Sequence, residues 1–138
     1  MEPKQAAALA QALRAIYRHV DVFHDEMLQV TPKELGLLLV IDENGPTRVK
    51  NLAQRVKLPL STVSWTADKM FGRKLLARRT DPNDRRAILL TLTRTGRSVI
   101  KAHYSIFDSV AQAALSVLAD KERDVVLDAI QKVASHLS

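Results

Sequence analysis

The 138-residue chain carries 21 Lys/Arg against 15 Asp/Glu, a net charge of +6, and no cysteine. That length suits one domain with an added oligomerisation element, and the lack of cysteine excludes disulfides, thiolate metal sites and thiol redox switching. No apolar run is longer than Leu37 to Ile41, which is too short to cross a bilayer, and the Met1-Glu2-Pro3-Lys4 start lacks the features of a secretion signal. A cytoplasmic chain with no membrane partner is therefore expected. Residues 47–94 hold 12 Lys/Arg against 3 Asp/Glu, leaving 9 against 12 elsewhere, so the whole basic excess sits in the middle third and points to a polyanion.

Apolar residues at Leu9, Leu13, Ile16, Val20, Phe23 and Met27 recur at steps of four and three, predicting a first helix with one stripe turned to a partner. Thr31-Pro32-Lys33-Glu34 starts a second helix: a hydroxyl N-cap, proline at the first position and Glu at the third. Asn44-Gly45-Pro46 ends it. Thr47 is expected to cap a short third helix that buries Val49, Leu52, Ala53 and Val56 while Arg48, Lys50, Asn51, Gln54 and Arg55 point outward. After the break at Lys57-Leu58-Pro59, a fourth helix runs to about Lys74. It is anchored by Val63, Ala67, Met70 and Phe71 and shows Ser61, Thr62, Ser64, Trp65, Asp68 and Lys69 on its other side. Two short helices, the second exposing hydroxyl, aromatic and cationic side chains, form a helix-turn-helix pattern.

Leu76–Thr80 and Ala87–Thr91 read as strands joined by the loop Asp81-Pro82-Asn83-Asp84-Arg85-Arg86, a β-hairpin wing with two arginines at its distal end. Thr93 caps a long fifth helix and Asp120 begins a sixth. The expected architecture is mainly α, a winged helix-turn-helix of about six helices with a two- or three-stranded wing. Residues 31–93 would form the DNA-binding module. The apolar stripes of 1–30 and 94–138 exceed what that module can cover and predict a homodimer built on the terminal helices. Such a dimer places two recognition helices one turn of DNA apart, about 34–36 Å, over an inverted repeat.

Leu52-Ala53, Ser61-Thr62-Val63-Ser64, Leu75, Arg78-Arg79, Asp81-Pro82-Asn83-Asp84-Arg85-Arg86 and Leu92-Thr93-x-x-Gly96 together give a pattern that resembles the MarR family of bacterial winged-helix regulators. The wing motif followed by Leu-Thr-x-x-Gly is the specific part. The resemblance implies a repressor released from DNA by a small, often aromatic or anionic, effector lodged between the dimerisation helices and the DNA-binding lobe. Candidate lining residues are Tyr17, His24, Met27 and Tyr104, set against ordinary core or interface roles. Two positions depart from the family pattern: Lys74 stands where glycine is usual before the wing, and Trp65 where a polar residue is common.

Ser61, Thr62, Ser64 and Lys69 are the expected major-groove contacts, with Trp65 either meeting a thymine methyl or packed on a neighbouring helix. By family analogy Arg86 enters the minor groove and Arg85 meets phosphate. Arg48, Lys50, Arg55 and Lys57 are candidate phosphate contacts. Asp84, repelled by phosphate, is expected to pair with Arg78 or Arg79 and hold the wing. His19 and His24 are five residues apart, off the one-face step that two metal ligands on a helix need, so no metal or other cofactor is expected. No nucleophile elbow, phosphate loop or paired-carboxylate motif points to an enzyme. The alternative is a winged-helix module that binds protein or RNA without reading DNA sequence; only Trp65 and Phe71 between residues 47 and 94 offer aromatic faces for RNA stacking.

Overall fold

The computed structural model describes residues 1–138 apart from the side chain of Asp25. The elements run α1 (Pro3–Leu28), α2 (Pro32–Asn44), β1 (Thr47–Arg48), α3 (Val49–Val56), α4 (Leu60–Gly72), β2 (Leu76–Asp81), β3 (Asp84–Leu92), α5 (Arg94–Ser116) and α6 (Asp120–Leu137). They form a winged helix. The three strands are antiparallel in the order β1-β3-β2, with Thr47 opposite Leu90 and Leu76 opposite Leu92.

Local chemistry explains several boundaries. The Thr31 hydroxyl accepts the Glu34 amide at 3.1 Å and Pro32 opens α2, so the N-terminal signal works as the sequence suggests. Gly45 closes the helix at φ +75° with its amide on the Ile41 carbonyl. Thr47 is not a helix cap. Its backbone is captured by β3, its hydroxyl donates to the Gly45 carbonyl at 2.7 Å, and Arg48 becomes the N-cap residue of α3. α4 stops at Gly72, and Lys74 takes the left-handed conformation, φ +60°, in the link to β2. This is the backbone a glycine adopts freely, so the departure from the family pattern changes the residue and keeps the turn.

One core joins the helix-turn-helix to the wing and the start of α5. Leu37, Leu38, Ile41, Leu52, Val63, Met70 and Leu90 are its most completely buried side chains. The Leu92-Thr93-x-x-Gly96 motif ties α5 to it. The Thr93 hydroxyl accepts the Gly96 amide at 3.0 Å and lies 2.6 Å from the Lys74 carbonyl oxygen, while a Cβ on Gly96 would fall 2.3 Å from the Leu75 carbonyl oxygen. Only glycine allows that approach.

A second, smaller cluster of Leu28, Leu35 and Ile106, with Val20, Val30 and Val110 around it, seats α1 and α5 against α2. Beyond it the terminal helices are uncovered. Leu9, Leu13, Ile16, Phe23 and Met27 of the α1 stripe are exposed, and α6 has no buried residue.

Candidate nucleic-acid interface

α4 is set by what its inner face buries. Val63, Thr66, Ala67 and Met70 turn inward, and the buried Thr66 hydroxyl is satisfied by the Thr62 carbonyl at 2.8 Å. The same helical phase puts Ser61, Trp65 and Lys69 outward at steps of four, with Thr62 and Ser64 half-buried beside them. Trp65 is 63% exposed, which excludes the packed alternative within this chain. The Lys69 ammonium lies 3.7 Å from the centroid of the indole ring, a cation–π contact.

The acidic residues of this surface are tied to arginines, in partnerships that differ from expectation. Arg78 of β2 pairs with Asp68 of α4 at 2.6 Å and lies over the Phe71 ring, so it is not the partner of Asp84. Arg48 instead meets both wing carboxylates, Asp81 at 2.8 Å and Asp84 at 3.8 Å. The Asn83 amide donates to Asp81 at 2.9 Å, and this bond, with that from Arg48, holds the Asp81 carboxyl below its ordinary pKa. Arg48 thus clamps α3 to the wing hairpin. Arg73, at the end of α4, forms an ion pair with the buried Glu34 and also donates to the Gln29 carbonyl, anchoring that helix to α2. Sequence reasoning missed the roles of Arg73, Glu34, Asp68 and Asp81.

Arg85 and Arg86 lie in β3 rather than in a loop, because the turn needs only Pro82 and Asn83. The register passes from Asp81 opposite Asp84 to Thr80 opposite Ile88, leaving Arg85, Arg86 and Ala87 without a cross-strand partner. The bulge projects both arginines from the wing, where they are exposed. The Asp84 side chain accepts the Arg86 amide at 3.0 Å, fixing the backbone just where those side chains leave it.

Lys50, Arg55 and Lys57 are also exposed, Lys57 in the left-handed turn between α3 and α4. Between α3 and the wing lies a polar cleft of about 600 Å³ lined by Arg48, Asn51, Gln54 and Arg55 among others. Exposed cations thus stand on the α3–α4 turn, on α4 at Lys69 and on the wing at Arg85 and Arg86.

The expected effector residues are not all brought together. Tyr17 and His24 line an apolar cavity of about 580 Å³ bounded by α1, α2 and α5, with Leu35, Leu39 and Phe107 among its walls. Met27 lines a separate cavity of about 300 Å³, and Tyr104 is half exposed on α5, edge-on to His103. His24 Nε2 and His103 Nδ1 come within 3.1 Å, a meeting that spacing along either helix does not reveal.

The fold and this surface define a winged helix-turn-helix protein. The MarR family profile matches residues 30–88. The chain is 30% identical over 122 residues to the HTH-type transcriptional repressor MdtR of Bacillus subtilis, spanning 75% of this chain and 77% of that protein. It is 44% identical over 66 residues to the uncharacterized regulator YxaD of the same organism, a match that spans 48% of this chain and 46% of YxaD. Among solved structures, YusO of B. subtilis superposes with a TM-score of 0.80 at 25% identity, covering 98% of this chain and 99% of that one. A mutant of S. aureus MepR bound to an oligodeoxyribonucleotide shares the fold, with a TM-score of 0.80 at 22% identity over 99% and 100% of the chains. The chain belongs to the MarR family of DNA-binding transcription regulators, a family of regulators and not of enzymes. Among the described residues no helix is long and apolar enough to cross a membrane.

Proposed function

We propose that the protein is a homodimeric repressor that binds an inverted-repeat operator in duplex DNA. The observation that carries this reading is the exposed row on α4 together with the exposed arginines of the β3 bulge, both carried by a module with one core. Residues 31–93 form the reading module, and 1–30 with 94–138 the dimerisation region. Ser61, Thr62, Ser64, Trp65 and Lys69 meet the major groove, Arg86 the minor groove, and Arg85, Lys50, Arg55 and Lys57 the phosphates. Arg48, expected at a phosphate, is instead engaged by Asp81 and Asp84, and with Arg78 and Asp84 it braces the interface through ion pairs. The uncovered stripes of α1 and α6 support the dimer, because a second copy related by a two-fold axis is the commonest way to bury them.

The α1–α2–α5 cavity supports release by a small aromatic effector, with Leu35, Leu39 and Phe107 among its apolar walls and Tyr17, Asp21, His24 and Thr31 as its polar groups; the Asp21 carboxylate disfavours an anionic one. An effector there would act by favouring one angle between the module and the terminal helices.

The reading is tested by titrating the protein into a fluorescent duplex carrying the intergenic DNA upstream of its own gene, at several salt concentrations. Expected is binding by two protomers with a log–log salt slope of about −5 or steeper, weakened about tenfold by Arg86→Ala. Affinity equal to that for a scrambled duplex or for RNA, unchanged by Arg86→Ala, would favour a module that binds RNA or protein instead.

A further inference from the structure

Trp65 is the only tryptophan in the chain, and it stands in the middle of the outward row of α4 with its neighbours at steps of four, Ser61 and Lys69, on either side. Helix geometry places it about one and a half turns from the start of α4, within the part of a recognition helix that reaches base edges. The indole offers one N–H donor and no acceptor, so most of its surface has no polar complement in a groove lined with hydrogen-bonding edges. The one apolar feature of the major groove is the thymine 5-methyl group. Lys69 lies over the ring at 3.7 Å and restricts how the indole turns, while its remaining N–H bonds stay free for an anion. Asp68, the one carboxylate on this helix, is paired with Arg78, which offsets its charge beside Trp65.

We propose that Trp65 is a specificity-determining residue that reads a thymine methyl in each half-site, with Lys69 as its positioning residue, held on the ring and donating to a neighbouring phosphate. The proposal rests on the DNA-reading function above and narrows it to one base at one position.

The test begins by selecting an operator from random duplexes with the wild-type protein, then replacing its thymines one at a time by deoxyuridine, which removes only the methyl group. At one thymine per half-site the replacement should weaken wild-type binding about fourfold, and about fifteenfold when made in both half-sites, the effect of losing one buried methyl each time. Trp65→Ala should bind the natural operator correspondingly more weakly and be indifferent to deoxyuridine at that position. Because Trp65 is exposed, thermal unfolding of this variant should match wild type. Lys69→Arg, which keeps a cation on the ring, should retain the methyl discrimination, and Lys69→Met should lose part of it. The proposal is overturned if no thymine is sensitive, or if Trp65→Ala keeps the wild-type sensitivity. If the wild-type protein enriches no sequence at all, the DNA-reading function fails too, which distinguishes the two failures.

Discussion

The segment from α2 to the first turn of α5 and the terminal helices beyond it are both rich in Leu, Ile and Val, yet they dispose of them in opposite ways. In the first, Leu37, Leu38, Leu52, Val63, Met70 and Leu90 close a core within one chain. In the second, Leu13 and Ile16 of α1 and Ile130 and Val133 of α6 stay in contact with solvent. An amphipathic stripe tells that a helix must pack; it does not tell whether the partner is its own chain. The first region closes its apolar surface within the chain, and the second leaves its stripes uncovered by the chain.

The largest effect that would sharpen this contrast is expected at the seam. Gly96→Ala forces a methyl group onto the Leu75 carbonyl, and backbone cannot yield as a side chain can. It should destabilise the protein by about 3 kcal/mol or more in urea unfolding. A loss under 1 kcal/mol would show that α5 is not held to the wing as described.

Next come substitutions on the stripes. Ile16→Ser together with Ile130→Ser should leave far-ultraviolet circular dichroism nearly unchanged, shift sedimentation from dimer toward monomer, and weaken operator binding. Leu38→Ala, a similar truncation in the closed core, should instead cost about 3 kcal/mol of stability. If the stripe variants unfolded as Leu38→Ala does and remained dimeric, the two regions would not differ in kind.

A smaller effect, of opposite sign, is expected at Lys74. Its left-handed backbone costs a side-chain-bearing residue more than glycine, so Lys74→Gly should raise stability by about 0.5–1 kcal/mol in thermal unfolding.

The smallest concerns pH. Burial, and then the neighbouring charge of His24, lowers the pKa of His103. A histidine that resists protonation when folded takes up a proton in the unfolded chain first, so stability should fall as pH drops below the ordinary histidine value toward the depressed one. His103→Gln should flatten that dependence in melting curves between pH 7 and 5. A melting profile identical to wild type would show that the α1–α5 contact does not feel this group.

Much of this arrangement was legible before any coordinates. Thr31, Thr93 and the wing motif sit where local hydrogen bonding dictates a start or a turn, and local rules need only local sequence. Thr47 misled for the same reason: a threonine before a helical pattern reads as a cap, but pairing with Leu90, far along the chain, decided its backbone. The ion pairs were harder still. Arg48 finds Asp81, Arg73 finds Glu34 and Arg78 finds Asp68, and nothing in the spacing of a charge selects among several opposite charges once the chain folds back on itself. The sequence pairs Asp84 with Arg78 or Arg79, whereas in the structure its ion pair is with Arg48. Of the α4 residues, sequence gave the phase; the cation–π contact on Trp65 depends on side-chain conformation that phase does not determine.

The central claim, that two copies clamped through their terminal helices read a two-fold site, is tested most directly by hydroxyl-radical footprinting of the selected operator. The account predicts two related protected patches on one face of the duplex, centred one helical turn apart, about 10–10.5 base pairs, and lost together in the Ile16→Ser, Ile130→Ser variant. A single patch filled by one protomer, unaffected by those stripe substitutions, would contradict it.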